Sequence, residues 1–146
     1  MPSFSHSVEL AQPPEAVFPW LLEQDKVPRW MSHVEEYRQL DGAGLSAGSR
    51  LRQTIELSGS RVSFELEVLR YEPPRAAEAR FETNGVEVVN LYALEALDAG
   101  TRLTMSMDAK PTKFSARMLI PVVQPRLERK LSEDLERLRA LLDGGG

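Results

Sequence analysis

The residues with chemistry to offer are few and scattered. There are two histidines, His6 and His33, and no cysteine, so disulfides and thiolate metal sites are excluded. No carboxylates stand at ligand spacing from either histidine, and no metal is expected. A phosphate loop, a GxGxxG turn, a GxSxG elbow and an HExxH pair are all missing, nothing marks a nucleophile, and no cofactor is expected. What remains is a set of polar residues that share a phase with apolar neighbours. His6 keeps step with Val8 and Leu10, Gln53 with Leu51 and Ile55, Asn90 and Tyr92 with Leu94, and Thr101 with Leu103. A buried polar group without a partner costs roughly 1–3 kcal/mol, so each of these five needs a neighbour, a water or a ligand. Two readings follow. Either they bond one another or lie at wet strand ends, or they line a cavity and orient a mostly apolar guest. In a catalytic version of the second, Tyr92 or His6 polarises a carbonyl or moves a proton, while Asn90 or Gln53 positions the substrate.

The elements that place these residues are legible from periodicity. Ser3–Ala11 alternates as a half-buried strand does, with Phe4, Val8 and Leu10 on the phase of His6. Pro13-Pro14 opens a helix that stops near Asp25, with Val17, Phe18, Leu21 and Leu22 as its apolar stripe. A second short helix is expected over Lys26–Ser32, carrying Trp30 and Met31. Period two then returns, predicting strands over Val34–Leu40, Arg50–Ser58, Arg61–Tyr71, Arg75–Thr83, Val86–Leu97 and Thr101–Ala109. Asp41-Gly42-Ala43-Gly44, Gly59-Ser60, Asn84-Gly85 and Asp98-Ala99-Gly100 supply the turns. Glu56, Glu65, Glu67, Glu87 and Glu95 fall on the outer phase and read as solvated charges. Leu127, Leu131, Leu135, Leu138 and Leu142 recur at helical spacing, predicting a helix from about Val123 to Leu142. Its charged residues pair four apart, Lys130 with Asp134 among them.

The fold class is therefore α+β. The connections are too short for crossover helices, so the sheet is antiparallel. Six or seven strands spaced about 4.8 Å apart give a sheet roughly 30 Å wide. One helix is only about 10–12 Å across. The sheet must curl around that long C-terminal helix, and space left between its concave face and the first turns of the helix is a cavity. The 146 residues suit one domain over 1–143 with a flexible tail at 144–146.

The layout resembles the START-type helix-grip superfamily, and more narrowly its polyketide cyclase/dehydrase-like family, grouped under SRPBCC. The resemblance is carried by Val8-Glu9-Leu10-Ala11-Gln12-Pro13-Pro14-Glu15-Ala16-Val17-Phe18 and by Trp30 after a short helix. Gly48-Ser49-Arg50-Leu51, Val68-Leu69-Arg70-Tyr71-Glu72-Pro73-Pro74, Gly100-Thr101-Arg102-Leu103-Thr104 and Leu135-Glu136-Arg137-Leu138 complete it. These are scaffold motifs, and the family they indicate includes ligand carriers, aromatase/cyclases and members without an assigned activity. Fold does not fix function here.

The cavity lining is expected to comprise His6, Gln53, Phe64, Leu66, Asn90, Tyr92, Met105, Met107 and Met118, although core filling is the plainer reading of Met105 and Met107. Trp30 and His33 fall where the resemblance places one rim, although Trp30 also reads as a core plug. Phe114–Pro125 crowds Phe114, Met118, Leu119, Ile120, Val122 and Val123 between two prolines, with Lys110, Lys113 and Arg117 beside it. It is either a kinked helix start or a lid, with Phe114 and Arg117 at the rim, or else a surface for a membrane or partner.

Three function classes remain. The first is a binding protein for a small hydrophobic or amphipathic molecule such as a lipid, a quinone or a polycyclic aromatic. The second is a cofactor-independent polyketide cyclase, aromatase or dehydratase. The third is an interaction module with a filled core. The net charge of −4 disfavours nucleic acid as a partner. No apolar run reaches membrane-span length and no signal peptide is evident, so a cytoplasmic monomer or homodimer is expected, with any membrane contact transient.

Overall fold

Alternation drives most of the chain into strands, and the computed structural model describes them within residues 3–144, apart from 32, 41, 43, 58 and 84. The strands are β1 (Ser3–Leu10), β2 (Val34–Gln39), β3 (Arg50–Leu57), β4 (Ser60–Glu72), β5 (Ala76–Thr83), β6 (Val86–Leu97) and β7 (Gly100–Pro111). They form one antiparallel sheet in the order β1-β7-β6-β5-β4-β3-β2. Strands two to seven are a meander, and β1 closes onto β7 with Val8 opposite Leu103. The β1–β2 connection leaves the sheet and carries three one-turn helices, α1 (Pro14–Val17), α2 (Pro19–Leu22) and α3 (Val27–Trp30). The last element, α4 (Ala116–Asp143), returns along the concave face.

Several boundaries differ from expectation for identifiable reasons. The helix expected from Pro13 to Asp25 is broken at Phe18, whose amide closes α1 on the Pro14 carbonyl at 2.9 Å. Pro19 has no N–H to continue that ladder, so α2 begins afresh. The hairpin expected at Gly59-Ser60 sits one residue earlier, because Leu57 pairs with Ser60. Gly59 supplies the positive φ of 83° that such a turn requires. In the next hairpin Thr83 pairs with Val86. Asn84 of that turn, Asp41 and Ala43 of the loop before β3, and the last two residues of the expected tail lie outside the described residues. The long helix starts at Ala116 rather than near Val123, with Pro121 and Pro125 inside it. Both prolines are exposed, on the side where a helix that curves over a core already lengthens its hydrogen bonds. Ala116 and Ile120 hold the opposite side of that turn, 1% and 3% exposed.

Val8 and Leu10 of β1, Leu51 of β3, Leu66 and Val68 of β4, Leu94 of β6, and Leu103 of β7 share one core with Leu131, Leu135, Leu138 and Leu142 of α4. The helix lies closest to β1, α3 and β7. Its end is tied to the exit of β1, where the Ala11 amide donates to Asp143 Oδ1 (2.9 Å) and Gln12 Nε2 donates to the Leu142 carbonyl (3.1 Å). The convex face carries the expected solvated charges. Arg80 bridges Glu67 (3.5 Å) and Glu87 (2.8 Å), and Arg102 bridges Glu9 (3.2 Å) and Glu95 (2.9 Å). Exposed pairs of this kind contribute little to stability.

Candidate functional site

Register assembles the polar residues of the concave face into rows. Tyr37, Gln53 and Phe64 stand side by side across β2, β3 and β4. Ala79, Asn90, Met107 and Phe4 form a second row, and Ala77, Tyr92, Met105 and His6 a third. Ala77 and Ala79 put only a methyl group each on that face, beside the bulk of Tyr92 and Asn90. Phe64 stacks on Phe81 with ring centroids 4.3 Å apart. Gln53, Asn90, Tyr92, Phe64, Leu66 and Met105 are all buried, whereas His6 and Met107 are half-buried.

Two residues that the sequence did not single out complete this surface. Tyr37 is buried because a bulge between Val34 and Glu36 shifts the phase of β2. Strict alternation from Val34 would have turned its ring outward. Asp134, expected as a solvated partner of Lys130, is instead 3% exposed. Its Oδ2 lies 3.4 Å from His33 Nδ1, too poorly aligned for a hydrogen bond. This places α4 against the α3–β2 corner. Asp134 sits three residues after Leu131 and four before Leu138, so its position on the leucine stripe was the available signal.

Besides His33 Nδ1, two of the buried groups are orphans. Tyr37 Oη and Asn90 Oδ1 have no hydrogen-bond partner among the described residues. Thr101 is not one of them, since its hydroxyl donates to the Gln12 carbonyl at 2.7 Å and fixes the exit of β1. Burial pushes the Tyr37 phenol well above the ordinary 10.0, and neighbouring Tyr92 adds to the shift. Burial likewise raises Tyr92. Both phenols are therefore neutral donors at physiological pH. A group whose folded-state pKa is raised contributes stability that is lost once the unfolded chain begins to ionise. Above about pH 10 the unfolded state releases two protons that the native state retains, so these two tyrosines lower stability as the pH rises. Tyrosinate absorbance followed beside chemical unfolding should show Tyr37 and Tyr92 ionising together with loss of structure. Ionisation of all three tyrosines with the fold intact would contradict this.

The remaining candidates divide. Trp30 is not at a rim: it is fully buried, and its indole N–H donates to the Trp20 carbonyl at 2.8 Å. Met118 does not line the interior but stands 75% exposed. Phe114 and Arg117 line a groove of about 630 Å³ between the end of β7 and the first turns of α4, together with Lys110, Lys113, Ile120 and Pro121. Among the described residues, no three His, Cys, Asp or Glu side chains gather as a metal site would need. No helix among them is long and apolar enough to cross a membrane.

The family model described as polyketide cyclase/dehydrase and lipid transport matches residues 1–143. An uncharacterized protein of Mycobacterium tuberculosis is 28% identical over 144 residues, covering 96% of this chain and 84% of the relative. Of the similar solved structures, Ara h 8.0201 superposes with a TM-score of 0.76 at 14% identity, covering 97% of each chain. The di-domain ARO/CYC StfQ of the steffimycin biosynthetic pathway gives 0.81 at 13% identity. It is matched over 97% of this chain and 51% of its own, so the present chain spans about half of it. Protein Ms6760 of Mycobacterium smegmatis gives 0.72 at 20% identity, over 99% of this chain and 92% of that one. At such identities these three share the fold.

Proposed function

The chain belongs to the polyketide cyclase/dehydrase and lipid-transport family, and from that membership we propose that it holds a small hydrophobic or amphipathic molecule. The guest lies between the concave face of the sheet and α4, and the groove beside Phe114 and Arg117 is its way in. A cytoplasmic location belongs to the same reading. The observation that supports it is the orphaned pair Tyr37 Oη and Asn90 Oδ1. A donor and an acceptor left unpaired on a largely buried face suit a guest that carries a carbonyl or a hydroxyl.

This reading has a two-sided signature. Tyr37→Phe and Asn90→Leu each remove an unpaired buried polar atom, so the empty protein should become more stable by about 1 kcal/mol. The same changes should weaken guest binding roughly fivefold to tenfold, one hydrogen bond's worth. Native mass spectrometry of the freshly purified protein identifies a co-purified guest, and titration with that molecule gives the affinities. Variants that lose stability while binding the guest unchanged would refute the reading.

A second reading is favoured by the neutral phenols. Tyr92 and Tyr37 can donate to a carbonyl oxygen as it gains charge, which is what cofactor-independent cyclisation or dehydration of a polyketide asks of a site. In it His6, half-buried opposite Met105, moves the proton. Turnover unaffected by both Tyr92→Phe and His6→Ala would dispose of it.

A further inference from the structure

The start of α4 carries an apolar stripe that the fold does not use. Ala116 and Ile120, four residues apart, face the sheet, whereas Met118 and Val122, also four apart, are 75% and 60% exposed, and Phe114, in the turn just before the helix, continues their step at 80%. Leu119 beside them is 52% exposed. A helix that turns hydrophobic residues outward over two turns has a contact surface there, since scattered exposed residues would not keep helical step.

The charge around the stripe is one-sided. Between Asp108 and Glu128 the sequence has no acidic residue and four basic ones, Lys110, Lys113, Arg117 and Arg126, in a chain of net charge −4. Lys110, Lys113 and Arg117 line the groove at the foot of the stripe, and none forms an ion pair among the described residues. Two of the strand carboxylates nearby are occupied. Glu82 accepts from the Thr112 hydroxyl at 2.7 Å, and Glu87, opposite Lys110 in register, is held by Arg80 at 2.8 Å.

We propose that this face docks on an anionic lipid surface. Phe114, Met118 and Val122 enter the boundary between headgroups and acyl chains, and Lys110, Lys113 and Arg117 meet the headgroups. A second copy of the chain is a poorer occupant, because pairing the stripes would bring two sets of unneutralised cations together. The groove opens between those cations, so a docked molecule turns its mouth to the bilayer. In that last respect the inference rests on the proposed function, since a guest of the interior would be collected from the membrane.

The test is flotation with vesicles of phosphatidylcholine alone and of phosphatidylcholine mixed three to one with phosphatidylglycerol. The protein should float with the mixed vesicles, and at least about tenfold less with the neutral ones or in high salt. Each cation near an anionic surface contributes about fivefold to partition, so Lys110→Glu with Lys113→Glu and Arg117→Glu should lower it by about a hundredfold or more. Phe114→Ser with Met118→Ser and Val122→Ser should also abolish flotation while every cation remains. All six positions face solvent or the open groove, and unchanged melting of both variants confirms intact folds. Failure of the parent protein to float overturns the proposal, as does equal flotation of either variant. A solution dimer that the apolar variant disperses would assign the stripe to a second copy instead. Guest binding measured without vesicles is independent of these outcomes, so a protein that binds its guest yet ignores vesicles overturns docking alone.

Discussion

Replacing Gly100 with alanine is expected to destabilise the protein by about 3 kcal/mol or more, although it adds a single methyl group at a hairpin turn. Gly100 has a φ of +147°, and a Cβ there would overlap the Leu10 carbonyl oxygen, with the Leu10 carbonyl carbon 3.0 Å and Ala11 Cα 3.2 Å away. Neither obstacle is a flexible side chain. Both belong to the backbone where β1 leaves the sheet, and that stretch cannot shift freely. Leu10 pairs with Thr101, the Gln12 carbonyl accepts from the Thr101 hydroxyl, and the Ala11 amide donates to Asp143 at the end of α4. Relieving the overlap breaks one or more of these ties and loosens the helix from the edge of the sheet. Gly85→Ala is the control. Its φ of +79° carries a similar conformational penalty, but the atoms nearest its Cβ belong to the Lys113 side chain, at 3.2 Å, which can give way. Its cost should stay near about 1 kcal/mol. Urea unfolding of the two variants decides the matter, and equal losses would mean that the close approach of β1 carries no weight.

The contrast between these glycines shows what alternation can and cannot reveal. Strand positions were legible because β3 and β5 to β7 each keep one phase and β4 does so as far as Val68, so Val62, Phe64, Leu66 and Val68 declare their face without reference to anything distant. The same regularity identified Gln53, Asn90 and Tyr92 as polar residues on the inner face, and the structure buries all three. Tyr37 escaped because one extra residue in β2 reverses the phase, and a bulge leaves no mark in hydropathy. Asp134 escaped for a different reason. A lone acid on a leucine stripe pairs equally well on paper with a lysine one turn away, and only the packing of α4 against the α3–β2 corner decides in favour of His33. The helix-start reading of Phe114–Pro125 is the one the structure shows, with α4 beginning before Val123: prolines usually end helices, but a start anchored by Ala116 and Ile120 tolerates them on its outer side. Met118 alone of that crowded segment reads as cavity lining in the sequence, but four-residue spacing with Val122 puts it on the face opposite Ile120.

Trp30→Ala should produce the largest loss of all. The side chain is fully buried, and deleting a core tryptophan typically costs about 3–5 kcal/mol, against a total stability of about 5–15 kcal/mol for a domain. The Trp20 carbonyl adds to that cost, because its indole donor at 2.8 Å disappears and a buried acceptor is left unpaired. Trp20 is itself buried beneath the Arg29 guanidinium, 4.8 Å from its ring, so water cannot simply replace the lost donor. Trp30→Phe separates the two contributions, since it keeps most of the packing and loses the hydrogen bond, for an expected cost of about 2 kcal/mol. The same pair of variants distinguishes a core plug from a rim. A rim tryptophan contributes to guest affinity and little to folding, so its removal would leave unfolding by urea or heat nearly unchanged while binding falls. A plug does the reverse in order, with folding failing first and binding following from it. Melting curves for Trp30→Ala that overlay the parent would therefore return the residue to the rim.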